Sequence, residues 1–264
     1  MATTSPKRRP VPAAQVERRR SRTVVIEDQE SAAGTTSRGE RISRAYEQVR
    51  QMIVWGRLAP GTRIVEAEIA KRLGVSRTPT RSAIHRLQQE GYVTALDRAK
   101  ERRLIVAPLT QEDARELFDI VGQLEGLAAR GAAALGTKPR AALVQKLRRM
   151  NSDLGSAARQ RRPDPMGLFD LDMAFHRAYV EAGAGPRLLA LHEATKPQAE
   201  RYIRLYISSL VDEIATSVGE HDVIVRRIEA GDTIAAERAV DENWENAARR
   251  LSKVIEALGE RGSW

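Results

Sequence analysis

The chain contains no cysteine, which excludes disulfides, thiolate metal sites and cysteine nucleophiles and suits a reducing compartment. It has no apolar run near the ~20 residues that a membrane-spanning helix needs. Behind the arginine cluster at residues 18–20 the apolar run is only Val24, Val25 and Ile26, too short for the core of an export signal. No H-E-x-x-H run, no nucleophile elbow and no internal repeat of fixed period occurs. These absences predict a soluble, cytoplasmic protein with no membrane partner.

What is present divides along the chain. The 264 residues are enough for two ordinary domains and a tail, and the net charge is +9. Residues 1–38 carry eight basic and four acidic side chains, residues 39–109 fourteen and seven, and residues 110–264 twenty-two and twenty-four. The basic excess therefore sits in the first two segments, as phosphate neutralisation requires, and the long remainder is close to neutral. Residues 1–38, rich in Arg, Pro, Ser, Thr and Ala without periodicity, are expected to be a disordered basic arm.

The most informative stretch runs from Glu66 to Gly91. Ile69, Ala70 and Leu73 keep helical spacing, Gly74 breaks the helix, and Ser76 is a good N-cap for a second helix that turns Ile84 and Leu87 inward. Two helices joined so tightly read as a helix-turn-helix, whose second helix presents Arg77, Thr78 and Arg81 to a DNA major groove. A plain helical hairpin with solvated arginines is the competing reading. Ahead of it, Ile42, Ala45, Tyr46, Val49, Met52 and Ile53 make one more amphipathic helix, ended by Gly56. Behind it, residues 92–96 and 103–106 read as two strands around the charged tip 97–102, a wing. The hairpin carries Arg98, Lys100, Arg102 and Arg103, placed either for phosphate or minor-groove contact or as a solvated loop.

From Pro108 onward the pattern is helical only, with helices near 111–135, 138–160, 165–182, 186–209, 212–230 and 232–258 and a kink at Pro197. The expected fold class is mainly α: a winged helix-turn-helix over 39–109, then an antiparallel six-helix bundle over 110–264. Its core stripe is exemplified by Leu117, Ile120, Leu124, Leu127 and Ala128.

The run L-A-P-G-T-R-I-V-E-A-E-I-A-K-R-L-G-V-S-R-T-P-T-R-S-A-I-H-R-L-Q-Q-E-G-Y-V, beginning at Leu58, resembles the N-terminal domain of GntR-type bacterial transcription regulators. The stretch L-T-Q-E-D-A-R-E-L-F from Leu109 resembles the start of the FCD effector domain of the FadR branch, and six helices resemble its VanR-type subgroup. The resemblance implies a homodimer that binds a short palindromic double-stranded operator, usually as a repressor, and leaves it when a small metabolite enters the C-terminal domain. It implies operator contacts by Arg77, Thr78 and Arg81, with Ser76 as cap and phosphate contact. Arginine suits such a role because it can donate to guanine in bidentate fashion. At the wing the family often has a glycine in an R-G-x-x-V run where this chain has Arg102-Arg-Leu-Ile-Val106.

A second site falls in the bundle. Asp172 and His176 are four apart and share a helical face. His221 matches the family's next metal histidine, but the last one falls on Asn243, and an amide is a poor ligand for Zn, Ni or Mn. Three protein ligands plus waters can still hold such an ion. The alternative is a polar pocket that binds an effector without metal. Many FCD domains have a ligand-clamping arginine where this chain has Val121, which shifts the expected effector from a small dicarboxylate towards an aromatic or other organic acid. Arg204, with Arg201, reads either as a surface arginine, the default, or as a substitute anion clamp from another wall, so the expected effector pocket comprises Asn243, Val121 and Arg204. His85 and His192 read as structural. The other functions considered are a metal-dependent enzyme in the bundle and an architectural DNA binder indifferent to sequence.

Overall fold

Ser37 opens the first helix. Its hydroxyl accepts from the Glu40 amide at 3.1 Å while the Glu40 carboxylate accepts from the Ser37 amide at 2.6 Å. This capping box starts α1 (Arg38–Val54) one turn earlier than the apolar stripe suggested, and so takes Arg38 out of the expected arm. The computed structural model describes residues 37–98 and 101–262; the rest of the arm lies outside them. Helix α2 (Glu66–Leu73) stops at Gly74, whose φ of 66° is the left-handed conformation glycine adopts without strain. Three residues later α3 (Arg77–Gln89) begins and buries Ala83, Ile84 and Leu87 against Ala45, Val49 and Ile53 of α1. Strands β1 (Val93–Arg98) and β2 (Glu101–Val106) pair antiparallel, Val93 opposite Val106 and Arg98 opposite Glu101. Both strands run further towards the tip than expected. The winged helix-turn-helix is thus formed around its own apolar cluster.

Six helices follow: α4 (Gln111–Ala133), α5 (Thr137–Ala158), α6 (Pro165–Gly183), α7 (Pro186–Tyr206), α8 (Ile214–Ala230) and α9 (Thr233–Leu258). Two short 3₁₀ turns, Ile207–Ser209 and Val211–Glu213, replace the expected last turn before residue 209 and first turn from 212. Pro197 lies inside α7, which continues through it. Of the expected stripe on α4, Leu117 and Ala128 are buried, but Ile120 and Leu127 are 42% and 46% exposed, and the packed face is completed by Val121, Ala129, Ala132 and Ala133. Small side chains win this face because the neighbouring helices come close: a Cβ on Gly131 would lie 2.1 Å from the Gly183 carbonyl oxygen at the end of α6.

The described residues form one compact unit, and α7 joins its two parts. The Glu193 carbonyl accepts from Arg50 at 3.1 Å, Gln198 donates to the Glu90 carbonyl at 2.9 Å, and Arg201 donates to the Ala107 carbonyl at 3.0 Å.

Candidate functional site

On α3 the buried face holds Pro79, Thr80, Ala83, Ile84 and Leu87, which leaves Ser76, Arg77, Thr78 and Arg81 exposed on one side. Ser76 occupies the N-cap position, but its hydroxyl makes no capping bond; its carbonyl accepts from the Thr80 hydroxyl at 3.0 Å. The expected cap is therefore positional, and the hydroxyl is available to a ligand. Arg81 donates from Nε to the Glu66 carboxylate at 2.9 Å, with its side chain 73% exposed. An exposed pair of this kind contributes little and opens easily. Lys100 and the side chains of Arg98 and Arg102 lie outside the described residues.

In the bundle, Asp172 and His176 of α6 meet His221 of α8, with one candidate ligand atom from each lying within 4.8 Å of the others. The neighbours determine which histidine nitrogens are available. The Asn151 amide donates to the Val218 carbonyl at 3.0 Å and to Asp222 at 2.7 Å, so its oxygen faces His221 Nδ1 at 3.1 Å. His221 must therefore carry its proton on Nδ1. Its Nε2 is a buried lone pair without a hydrogen-bond partner, 3.5 Å from an Asp172 carboxyl oxygen. At that separation no hydrogen bond joins them. His176 is oriented in the same way, because Nδ1 donates to the Glu125 carboxylate at 2.6 Å, which leaves Nε2 as the nitrogen that could face a metal. Two imidazole nitrogens and a carboxylate thus share one small space, an arrangement that fits a divalent cation.

Glu125 is the residue that sequence reasoning missed. It is fully buried on α4, and each oxygen is saturated: Oε1 accepts from His192 at 2.9 Å and Lys196 at 2.6 Å, and Oε2 from His176, Tyr179 at 2.6 Å and Trp244 at 2.9 Å. Burial alone pushes its carboxyl pKa up, but Lys196 and His176 outweigh burial and hold it well below the usual range. His192 is structural, as expected, but through this network. The expected pocket set fares less well. Val121 is buried in the apolar core, Asn243 donates its amide to Glu220 at 2.7 Å, and Arg204 lies against Trp55 and Phe169. None of the three lines the chamber beside Asp172. That chamber, about 60 Å³, is walled by Phe118, Phe169, Ile203, Ile207, Ile214 and Leu251, and Arg250 is its cation. Arg250 is held by Glu220 at 2.8 and 3.1 Å and by Ser217 at 3.2 Å, and it also lines an outer cleft of about 800 Å³.

Burial, reinforced by His176 and Arg250, pushes the His221 pKa well below its ordinary value, so the folded protein keeps this ring neutral. Below the unfolded pKa of about 6.5 the unfolded chain binds a proton that the folded chain refuses, and stability falls with pH by up to about 1.4 kcal/mol per unit. In chelator-treated protein, urea midpoints taken from pH 7 to pH 5 are expected to fall more steeply for the wild type than for His221→Gln. Parallel curves would mean that His221 titrates freely.

The sequence matches two family models: "Bacterial regulatory proteins, gntR family" over residues 41–99 and "FCD domain" over residues 116–246. It is 33% identical over 155 residues to an uncharacterized HTH-type transcriptional regulator in the TAR-I ttuE–ttuC′ intergenic region of Agrobacterium vitis, covering 59% of this chain and 88% of the relative. A probable D-xylose utilization operon transcriptional repressor of Paenarthrobacter nicotinovorans is 31% identical over 198 residues, with coverage of 73% and 82%. Among solved structures, E. coli McbR/YncC superposes with a TM-score of 0.61 at 17% identity over 81% of this chain and 97% of that one, a likeness of fold.

Proposed function

Because the chain belongs to the GntR family of bacterial regulatory proteins and carries an FCD domain, we propose that it is a repressor released from DNA by a small molecule. It is a transcription regulator and not an enzyme, like the relatives it matches. Residues 39–109 act as the DNA-binding domain and residues 110–264 as the effector-binding and dimerisation domain. A homodimer places two recognition helices on the half-sites of a palindromic operator. The exposed strip of Ile120 and Leu127 on α4, with half-buried Leu124 between them, supports pairing through that helix.

The observation that carries the ligand reading is the orphaned Nε2 of His221 beside Asp172 and His176. These three residues would hold Zn, Ni or Mn, and the ion would supply a Lewis-acidic anchor for an oxygen of the effector. The apolar chamber next to Asp172, with Arg250 as its cation, suits an aromatic or other organic acid. Inductively coupled plasma and native mass spectrometry on protein purified without chelator or metal-affinity resin test this. Two chains per particle and about one metal per chain are expected, with the metal lost in His176→Ala. An organic molecule retained without metal would remove the ion and keep the effector; neither would overturn ligand release.

A further inference from the structure

Three hydrogen bonds between the winged helix and the bundle involve α7, and its C-terminal end adds a contact of another kind. The Arg204 guanidinium lies between two rings, 4.1 Å from the centre of Trp55, which closes α1, and 4.3 Å from the centre of Phe169 on α6. Its Nε and Nη1 are buried there without an acceptor. Ring faces attract the cation but cannot accept those N–H groups as an oxygen would, so opening the stack returns hydrogen bonds to Arg204 from water. The stack is a contact made to open.

Phe169 faces two ways. It lines the chamber beside Asp172, and it lines the cleft of about 400 Å³ that Trp55 and Arg204 share. The chamber, at about 60 Å³, is far below the ~150 Å³ in which a buried cavity accepts benzene. An effector with a ring must therefore displace a wall. Phe118 is braced edge-to-face by Trp244 at 5.1 Å, and Trp244 is anchored on Glu125. Phe169 is backed by Arg204, whose Nε and Nη1 no acceptor holds. The wall that yields is the one joined to the winged helix.

We propose that Phe169, Arg204 and Trp55 form a relay through which filling the chamber loosens the winged helix from α7, a device that rests on the effector reading above. The relay requires no change at the recognition helix itself. It acts on α1, whose Val49 and Ile53 belong to the same apolar cluster as Ala83 and Ile84 of α3. A shift of Trp55 thereby changes how α3 is carried.

Ala247 on α9 lines the chamber, so Ala247→Phe introduces a ring without any ligand. In the full chain, bound to an operator selected from a random DNA pool, this variant is expected to weaken binding about tenfold or more and to raise amide hydrogen exchange over residues 50–58. In a Trp55→Ala background the same substitution is expected to alter affinity less than about twofold, because the relay is already cut. Equal weakening in both backgrounds, or none in folded Ala247→Phe, overturns the relay. Should Ala247→Phe fail to fold, Arg204→Gln decides the matter: faster exchange over residues 50–58 is expected, and unchanged exchange overturns the proposal. The wedge needs no effector, so the relay can fail while a metabolite still releases DNA, and effector release falls separately if no compound does so.

Discussion

Glu125→Ala is expected to lower the unfolding free energy by about 3–5 kcal/mol, the range for removing one partner from a buried ion pair. The substitution strands the Lys196 ammonium, which is 7% exposed in its side chain, and removes the acceptor of His176, Tyr179, His192 and Trp244 together. Five donors converging on one carboxylate make the network cooperative, so partial loss is worse than full replacement. The double variant Glu125→Gln/Lys196→Met is therefore expected to recover part of the loss, since it leaves no lone charge. Guanidinium denaturation of the three proteins measures both effects. A loss below about 1 kcal/mol for Glu125→Ala would place the residue among ordinary surface substitutions and contradict its burial. Glu125→Gln alone is expected to lower metal affinity about 10–100-fold by freeing the His176 ring.

The contrast between Glu125 and the rest of the site shows what a linear sequence carries. Helix boundaries were legible because breakers and cap positions are local: Gly74 stops α2, and Ser76 stands at the N-cap position of α3. Asp172 and His176 were legible because four residues is one helical turn. Glu125 was not, because its donors lie 51 to 119 residues away and a glutamate between Leu124 and Gly126 reads as a solvated residue. Two positions of the α4 stripe failed for a related reason. Ile120 and Leu127 have the right chemistry for a core, but alanines and glycines have the right volume for that packed face, and volume is set by helices that the local pattern does not contain. Arg204 failed because its aromatic partners come from α6 and from the residue after α1.

Arg77→Ala and Arg81→Ala are each expected to remove about 1–3 kcal/mol of operator discrimination, the contribution of one bidentate base contact. The two should differ in detail. Arg77 is exposed in the first turn of α3, whereas Arg81 must leave the Glu66 carboxylate before it can reach a base. Breaking an exposed pair costs about 1 kcal/mol at most, so Glu66 works as a weak brake, and its charge also repels phosphate. Glu66→Gln is accordingly expected to tighten binding to all DNA while leaving the ranking of sequences intact, and Arg81→Ala in that background should show its full cost. Gel-shift competition at fixed salt, with selected operator against scrambled DNA, separates these outcomes. A variant that weakens all DNA equally and reduces the salt slope by about one has lost a phosphate contact rather than a base contact. If Arg77→Ala and Arg81→Ala both behave so, α3 holds the protein on DNA without reading it, and sequence must be read by the wing.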